Sequence, residues 1–140
     1  MRVVLDTSVV VAGLRSSAGA SRRWIEAILK REHTLILSVP LVLEYEDVLL
    51  RPDNLSVHGL TPVEVGRLLD AFCAVAEPVE LTYLWRPMLR DPDDEMVLET
   101  AVVGRSDYLL TFNVRDFAGS ERFGIAVERP GPAWKRLQET

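Results

Sequence analysis

The chain is poor in the residues that most directly announce a chemistry. Its 140 residues include one cysteine, Cys73, and two histidines, His33 and His58. A lone cysteine cannot close an internal disulfide, so nothing calls for an oxidising compartment. The histidines have no partner at ligand spacing, which removes the usual zinc patterns. No apolar run approaches the roughly 20 residues that span a bilayer, so no membrane partner is expected. The opening MRVVLD is too short and too quickly acidic for a signal peptide, and a cytoplasmic location is the expectation. Positive charge is also scarce. The net charge of −5 argues against a general nucleic-acid coat, which is normally basic. It leaves a nuclease open, because bound divalent cations reverse the field around an acidic site. Contact with RNA would then fall to local arginines. Arg15, Arg86, Arg90 and Arg115 lie beside acidic segments, although each alone also reads as an ordinary solvated charge.

What remains is the composition of a globular protein, 48% apolar and 26% charged. One domain over residues 1–140 is long enough to bury a core. Residues 2–5 form a short β-branched apolar run ending at Asp6, as a buried strand does. Helical pattern follows from about Val9, breaks at SSAGAS, and resumes over 21–31 with Ser21 as a cap. Residues 34–37 read as a second strand. Ser38 then caps a helix over 39–50, with Pro40 in its first turn. Residues 52–59 read as a loop. Thr61, Pro62 and Glu64 open a helix running to about Ala76; on it Cys73 falls at core spacing and reads as a packed thiol. Strands are expected over 79–84, 108–110 and 125–127. Asp91-Pro92 opens a helix reaching about Gly104, and a last helix covers 131–139. Apolar strands alternating with helices predict an α/β fold, a central five-stranded parallel sheet between helical layers. Ligand sites in such folds lie beyond the carboxyl ends of the strands. That rule selects Asp6 after the first strand, and Asn113 and Asp116 after the fourth.

The acidic residues carry the argument further. Asp6 is followed by Thr7 and Ser8 and reads both as a helix cap and as a cation ligand. The segment RDPDDEMVLETA holds four acids within residues 91–95, and the start of a helix accounts for some of them. Three, four, seven and eight residues beyond Asp94 come Val97, Leu98, Ala101 and Val102. Asp94 therefore points most nearly inward, while Asp93 shares a stripe with Thr100 and Glu95 with Glu99. On the helix after Ser38 the pattern favours Glu46 over Glu44 as the enclosed acid. That helix is apolar on more than one side, so the pattern leaves both open. Converging carboxylates repel one another, and a cation removes the penalty. Oxygen donors without a His or Cys cluster favour Mg²⁺ or Mn²⁺. The chemistry such a centre supports is phosphodiester hydrolysis by activated water, with one or two ions.

Four segments in order, VVLDTSVVVAGL, SVPLVLEYEDVL, RDPDDEMVLETA and DYLLTFNVRDF, resemble the PIN-domain family (PilT N-terminus). Within it they look like the VapC-like toxins of toxin–antitoxin pairs. The resemblance spans essentially the whole chain. It implies an α/β/α sandwich, an acidic Mg²⁺/Mn²⁺ centre and cleavage of single-stranded RNA. It also implies a homodimer and inhibition by a cognate antitoxin. Carried over, the family's acids fall on Asp6, on Glu44 in the pattern S-x-x-L-x-x-E (with Glu46 as the rival), and on Asp94. Many members place a fourth acid in T-G-D, where this chain has Asn113. Others show T-x-N-x-x-D-F, as here, and the acid moves to Asp116. Thr111 then fixes the turn or hydrogen-bonds a water at the metal. Trp85 is a weak candidate for base stacking.

Two other readings compete. A PIN-like module that binds RNA or protein without cutting has Asn113 as its support. A phosphoacceptor receiver domain would need an early acidic pair, an aspartate after the third strand and a late lysine. This chain lacks that acidic pair and that aspartate, and its only lysines are Lys30 and Lys135.

Overall fold

A computed structural model describes residues 1–82 and 88–139. Three apolar strands form its centre: β1 (Arg2–Leu5), β2 (Thr34–Leu37) and β4 (Tyr108–Leu110). Their inner residues are buried, as strands covered by helices on both faces must be. The flanking β3 (Glu77–Pro78) and β5 (Ala126–Glu128) complete a parallel sheet in the order β3-β2-β1-β4-β5. The helices are α1 (Thr7–Arg15), α2 (Ala20–Leu29), α3 (Val39–Leu49), α4 (Pro52–His58), α5 (Pro62–Val75), α6 (Pro92–Val103) and α7 (Pro130–Gln138). The architecture is the expected three-layer α/β/α sandwich.

The order of the strands positions the site. From β1 the chain first builds outward through β2 to β3, then returns to the opposite side of β1 with β4. Neighbouring crossovers therefore diverge between β1 and β4, and a crevice opens at their carboxyl ends. The β1–β4 register pairs Leu5 with Leu110. Asp6 and Thr111, each one residue further on, leave the sheet side by side. Tyr45, fully buried on α3, donates its hydroxyl to the Leu5 carbonyl at 2.5 Å and ties α3 to the same strand end.

Local signals explain most boundaries. Ser38 caps α3 by accepting from the Leu41 amide. Thr61 and Glu64 form a reciprocal capping box. Asp91 caps α6 through the Asp93 amide. Trp24 is buried among His33, Tyr108 and Trp134, and its indole N–H reaches the Pro130 carbonyl at 3.0 Å.

Several expectations need correction. Residues 52–59 are largely a helix, α4, and not a loop. Pro52 occupies its first turn, the Asn54 amide reaches the Val48 carbonyl, and Gly59 closes it at φ 73°. Proline and glycine here act as start and stop signals. Helix α1 begins at Thr7 rather than Val9, because Asp6 caps it directly. Gly19, not Ser21, precedes α2, and Ser21 is buried inside it. The third strand lies at 77–78 rather than 79–84; its pairing ends with the Val79 amide on the Leu37 carbonyl, and residues 83–84 lie outside the described residues. The fifth strand and last helix each shift by one residue. Two 3-10 turns, Val114–Phe117 and Ser120–Phe123, occupy what reads in sequence as plain loop. Cys73 is exposed, since α5 buries Val65, Leu69 and Phe72 instead.

Two measurements check this packing. Cys73 is expected to react with a thiol reagent in the native protein, without denaturant; protection until unfolding would contradict its exposure. At Gly104, an added Cβ would meet the stiff Cγ2 of Ile36 at 2.3 Å. Gly104→Ala is expected to cost about 1–3 kcal/mol in urea unfolding, the usual range for overpacking.

Candidate active site

Asp6 anchors the crevice and is 7% exposed. Its Oδ1 accepts from the Thr7 amide at 2.9 Å, which is the cap of α1. Its Oδ2 accepts from Ser8 Oγ at 2.9 Å and from Thr111 Oγ1 at 2.7 Å. A carboxylate offers about four lone-pair positions, so these bonds orient Asp6 and still leave acceptor capacity on Oδ1. Thr111 is fully buried. Having given its one hydroxyl proton to Asp6, it accepts from the Asn113 amide at 2.9 Å, which bends the chain out of β4. The Asn113 carbonyl then accepts from the Asp116 amide and closes the 3-10 turn.

Helix α3 brings Glu44 to the same place. Thr7 Oγ1 donates to Glu44 Oε2 at 2.5 Å, while Glu46 is exposed. The geometry thus separates two acids between which periodicity could not choose. Asp93, itself exposed, lies near enough to Glu44 to raise its pKa. Asp94 and Asp116 line a cleft of ≈ 380 Å³ together with Met88, Leu89, Arg90, Asp91, Arg115 and Ala118. Helix α6 is held to α3 by a buried hydroxyl pair: Thr100 Oγ1 donates to the Met96 carbonyl and meets Ser38 Oγ at 2.8 Å. Glu95 fastens the preceding segment by accepting from the Met88 and Leu89 amides.

The electrostatics follow from this crowding. Burial raises the Asp6 pKa; its three hydrogen bonds oppose the rise and repulsion from Asp116 adds to it. Burial also raises Glu44, with the Thr7 bond opposing and Asp93 and Asp6 adding. Asp94 is pushed up to about 7, first by desolvation and then by repulsion from Asp6, Asp91, Asp116 and Glu44. The acids selected from sequence therefore lie close enough to act on one another.

Among the described residues, no group of three or more His, Cys, Asp or Glu side chains is arranged to hold a metal ion. The donor chemistry nevertheless suits a hard divalent cation. The available donors are carboxylate oxygens, and the mutual repulsion that raises Asp94 is what such a cation offsets. Both histidines are engaged elsewhere, His33 with the N-terminus and Trp24, and His58 with the Leu49 carbonyl. Neither Trp85 nor Arg86 is among the described residues.

Sequence reading missed three residues of this site. Thr7 and Ser8 supply hydroxyl donors to Glu44 and Asp6, where they had read only as helix-capping types. Two hydroxyls directly after a strand-ending acid were the available signal. Asp93, which shares a stripe with Thr100 in the sequence pattern, is exposed and yet close enough to Glu44 to raise its pKa.

Comparison with known proteins agrees with this fold. A PIN domain family model matches residues 2–115, a span that takes in Asp6, Glu44, Asp94, Thr111 and Asn113 and stops one residue before Asp116. The chain belongs to the PIN domain family. Its fold is similar to that of a chain in the crystal structure of VapBC2 from Rickettsia felis bound to a DNA fragment from their promoter. That match has a TM-score of 0.61 at 15% identity and covers 92% of this chain and 98% of the other. No curated protein sequence matches the chain.

The raised carboxyl pKa values set a pH dependence. An acid whose folded pKa exceeds its unfolded value, near 4 for aspartate, stabilises the fold below that unfolded value. The contribution is lost as pH rises through the folded pKa, here about 7 for Asp94. The melting temperature in chelator-treated buffer is expected to fall between pH 5 and pH 8, and Asp94→Asn to flatten the slope. A melting temperature that rises across this window would contradict the crowding of the acids.

Proposed function

We propose that the protein is a Mg²⁺- or Mn²⁺-dependent endoribonuclease acting on single-stranded RNA, and that it serves as the toxin of a toxin–antitoxin pair. The observation that carries the nuclease reading is the set of acids around Asp6, held at the β1–β4 crevice and raising one another's pKa. Asp6, Glu44, Asp94 and Asp116 are the residues that would hold the cation. A divalent ion there supplies Lewis acidity, lowering the pKa of a water and offsetting charge on the phosphoryl oxygens.

The chain's own residues orient and select. Thr111 and Ser8 fix the Asp6 carboxylate, so it needs no rotamer search before binding. Thr7 does the same for Glu44. Asn113 contributes its backbone to the turn that presents Asp116, which makes it a positioning residue. Arg90 and Arg115 border the acidic cleft and are available to the phosphates of the strand, compensating for a negative overall charge.

The toxin assignment rests on the resemblance of the four sequence segments and on the fold shared with the VapBC2 chain. It implies a small protein antitoxin as partner, and self-association as a homodimer. Exposed Val39 and Leu43, beside an apolar cleft of ≈ 530 Å³ on α3 and α5, are surface suited to such contacts. Among the described residues no helix is long and apolar enough to cross a membrane.

Asp6→Asn is expected to lower Mn²⁺-dependent cleavage of an RNA pool more than roughly 100-fold, beyond the 10–100-fold typical of losing an outer partner of a metal ligand. Circular dichroism is expected to show the fold intact, and undiminished cleavage would overturn the assignment. Asp116→Ala is expected to reduce cleavage more than Asn113→Ala. The reverse order would move the fourth acid's role away from Asp116.

A further inference from the structure

The Asp6 carboxyl has a second cleft beside it, of opposite character to the acidic one. It measures ≈ 530 Å³ and is lined by Thr7, Ser8, Val11, Ala12, Arg15, Val48, Asn54 and Phe112. Thr7 and Ser8 are the residues that hold Glu44 and Asp6, so the cleft begins at the acidic centre. None of its lining residues is acidic, and Arg15 is the one charged residue among them. A polyanion leaving the cation centre on this side meets no repelling carboxylate in the cleft.

Phe112 is the aromatic residue of this cleft and is 37% exposed. Its position is unusually well fixed for a surface ring. Thr111 before it is buried and bonded to Asp6, its own amide donates to Ser8 Oγ at 3.3 Å, and the Asn113 amide is bonded to Thr111. The Arg129 guanidinium stands over the ring, 5.4 Å from its centroid. Phe112 lines the cleft and Arg129 does not. An exposed aromatic carried on an anchored backbone offers a stacking platform. Bases in a duplex are already stacked, and only an unpaired base can lie on such a ring.

We infer that this cleft is a nucleotide subsite, with the base next to the scissile phosphate stacked on Phe112 and the following phosphate paired with Arg15. The inference rests on the nuclease reading and deepens it. It assigns preference for single strands to one ring, held by the same hydrogen bonds that orient the catalytic acid. Stacking of this kind is tolerant of base identity, so the subsite selects an unpaired nucleotide and not a sequence.

The test uses the whole chain and a short fluorescein-labelled single-stranded RNA, with binding followed by anisotropy in Ca²⁺ buffer. Phe112→Ala and Phe112→Leu are expected to weaken binding by roughly 5- to 150-fold, the range for losing one base–aromatic stack. Phe112→Trp is expected to restore it. Arg15→Ala is expected to weaken binding and lower its salt dependence. In a scan of single abasic positions, one position is expected to erase the difference between wild type and Phe112→Ala. Wild-type affinity in Phe112→Leu, a difference that no abasic position erases, or RNA binding too weak to measure would each overturn the subsite. The two readings fail separately. RNA that shows the Phe112 signature but is never cut with Mn²⁺ removes the nuclease and leaves the subsite. RNA that is cut while Phe112→Ala binds it as wild type does removes the subsite and leaves the nuclease.

Discussion

The hydrogen bond from Thr111 to Asp6 is the interaction on which the rest of the site depends. It spans 105 residues of sequence and exists because parallel strands β1 and β4 pair Leu5 with Leu110. A slip of one residue in that register would turn the side chains of one strand to the other face of the sheet and part Thr111 from Asp6. With the register set, one hydroxyl orients the buried acid, bends the chain out of β4 and so aims the turn that carries Asp116. The Tyr45 bond to the Leu5 carbonyl adds α3, and with it Glu44, to the same strand end. Three segments distant in sequence are thus referred to one point of the backbone.

That point carries an electrostatic cost. Carboxylates are brought together where burial already disfavours their ionised forms, and the elevated pKa of Asp94 measures the conflict. The fold tolerates it because hydroxyls and amides, rather than cations of the chain, are the local partners of Asp6 and Glu44. Neutral donors orient a carboxylate while leaving its charge uncompensated. An arginine in their place would satisfy the same lone pairs and fill the position a metal ion needs. The ion pairs of Arg2 with Glu77, Arg51 with Asp47 and Arg136 with Glu128 involve none of these acids. Arg15, Arg90 and Arg115 border the clefts of the crevice instead.

Legibility in the sequence followed the range of the forces involved. Strands β1, β2 and β4 were readable because an uninterrupted apolar run has few other uses in a chain of this composition. The caps at Ser38, Thr61 and Asp91 were readable because capping is decided within four residues. The same local rules misled where proline and glycine cluster, at α4, since a short helix and a loop share that vocabulary. Edge strand β3 pairs through only a few residues, and its sequence carries no apolar run to mark it. On α6 periodicity singled out Asp94, which is half-buried where Asp93 is exposed, but the helix is enclosed around much of its circumference and the burial of Glu99 and Thr100 had no such signal.

By itself the sequence determined the fold class and the pool of acids. Alternation of apolar strands with capped helices requires a covered parallel sheet, and such a sheet puts strand-ending acids near its crevice. It also left carboxylate oxygen as the prevailing donor type, because the histidines and the cysteine are too few and too scattered to form a cluster. Only the tertiary structure decided which acids share the crevice. Glu44 rather than Glu46 reaches Thr7, and Phe112 emerges at the rim beside Ser8. Those choices depend on strand register and on the rotation of α3 and α6 against the sheet. Packing between elements sets both, and no local pattern in the chain encodes them.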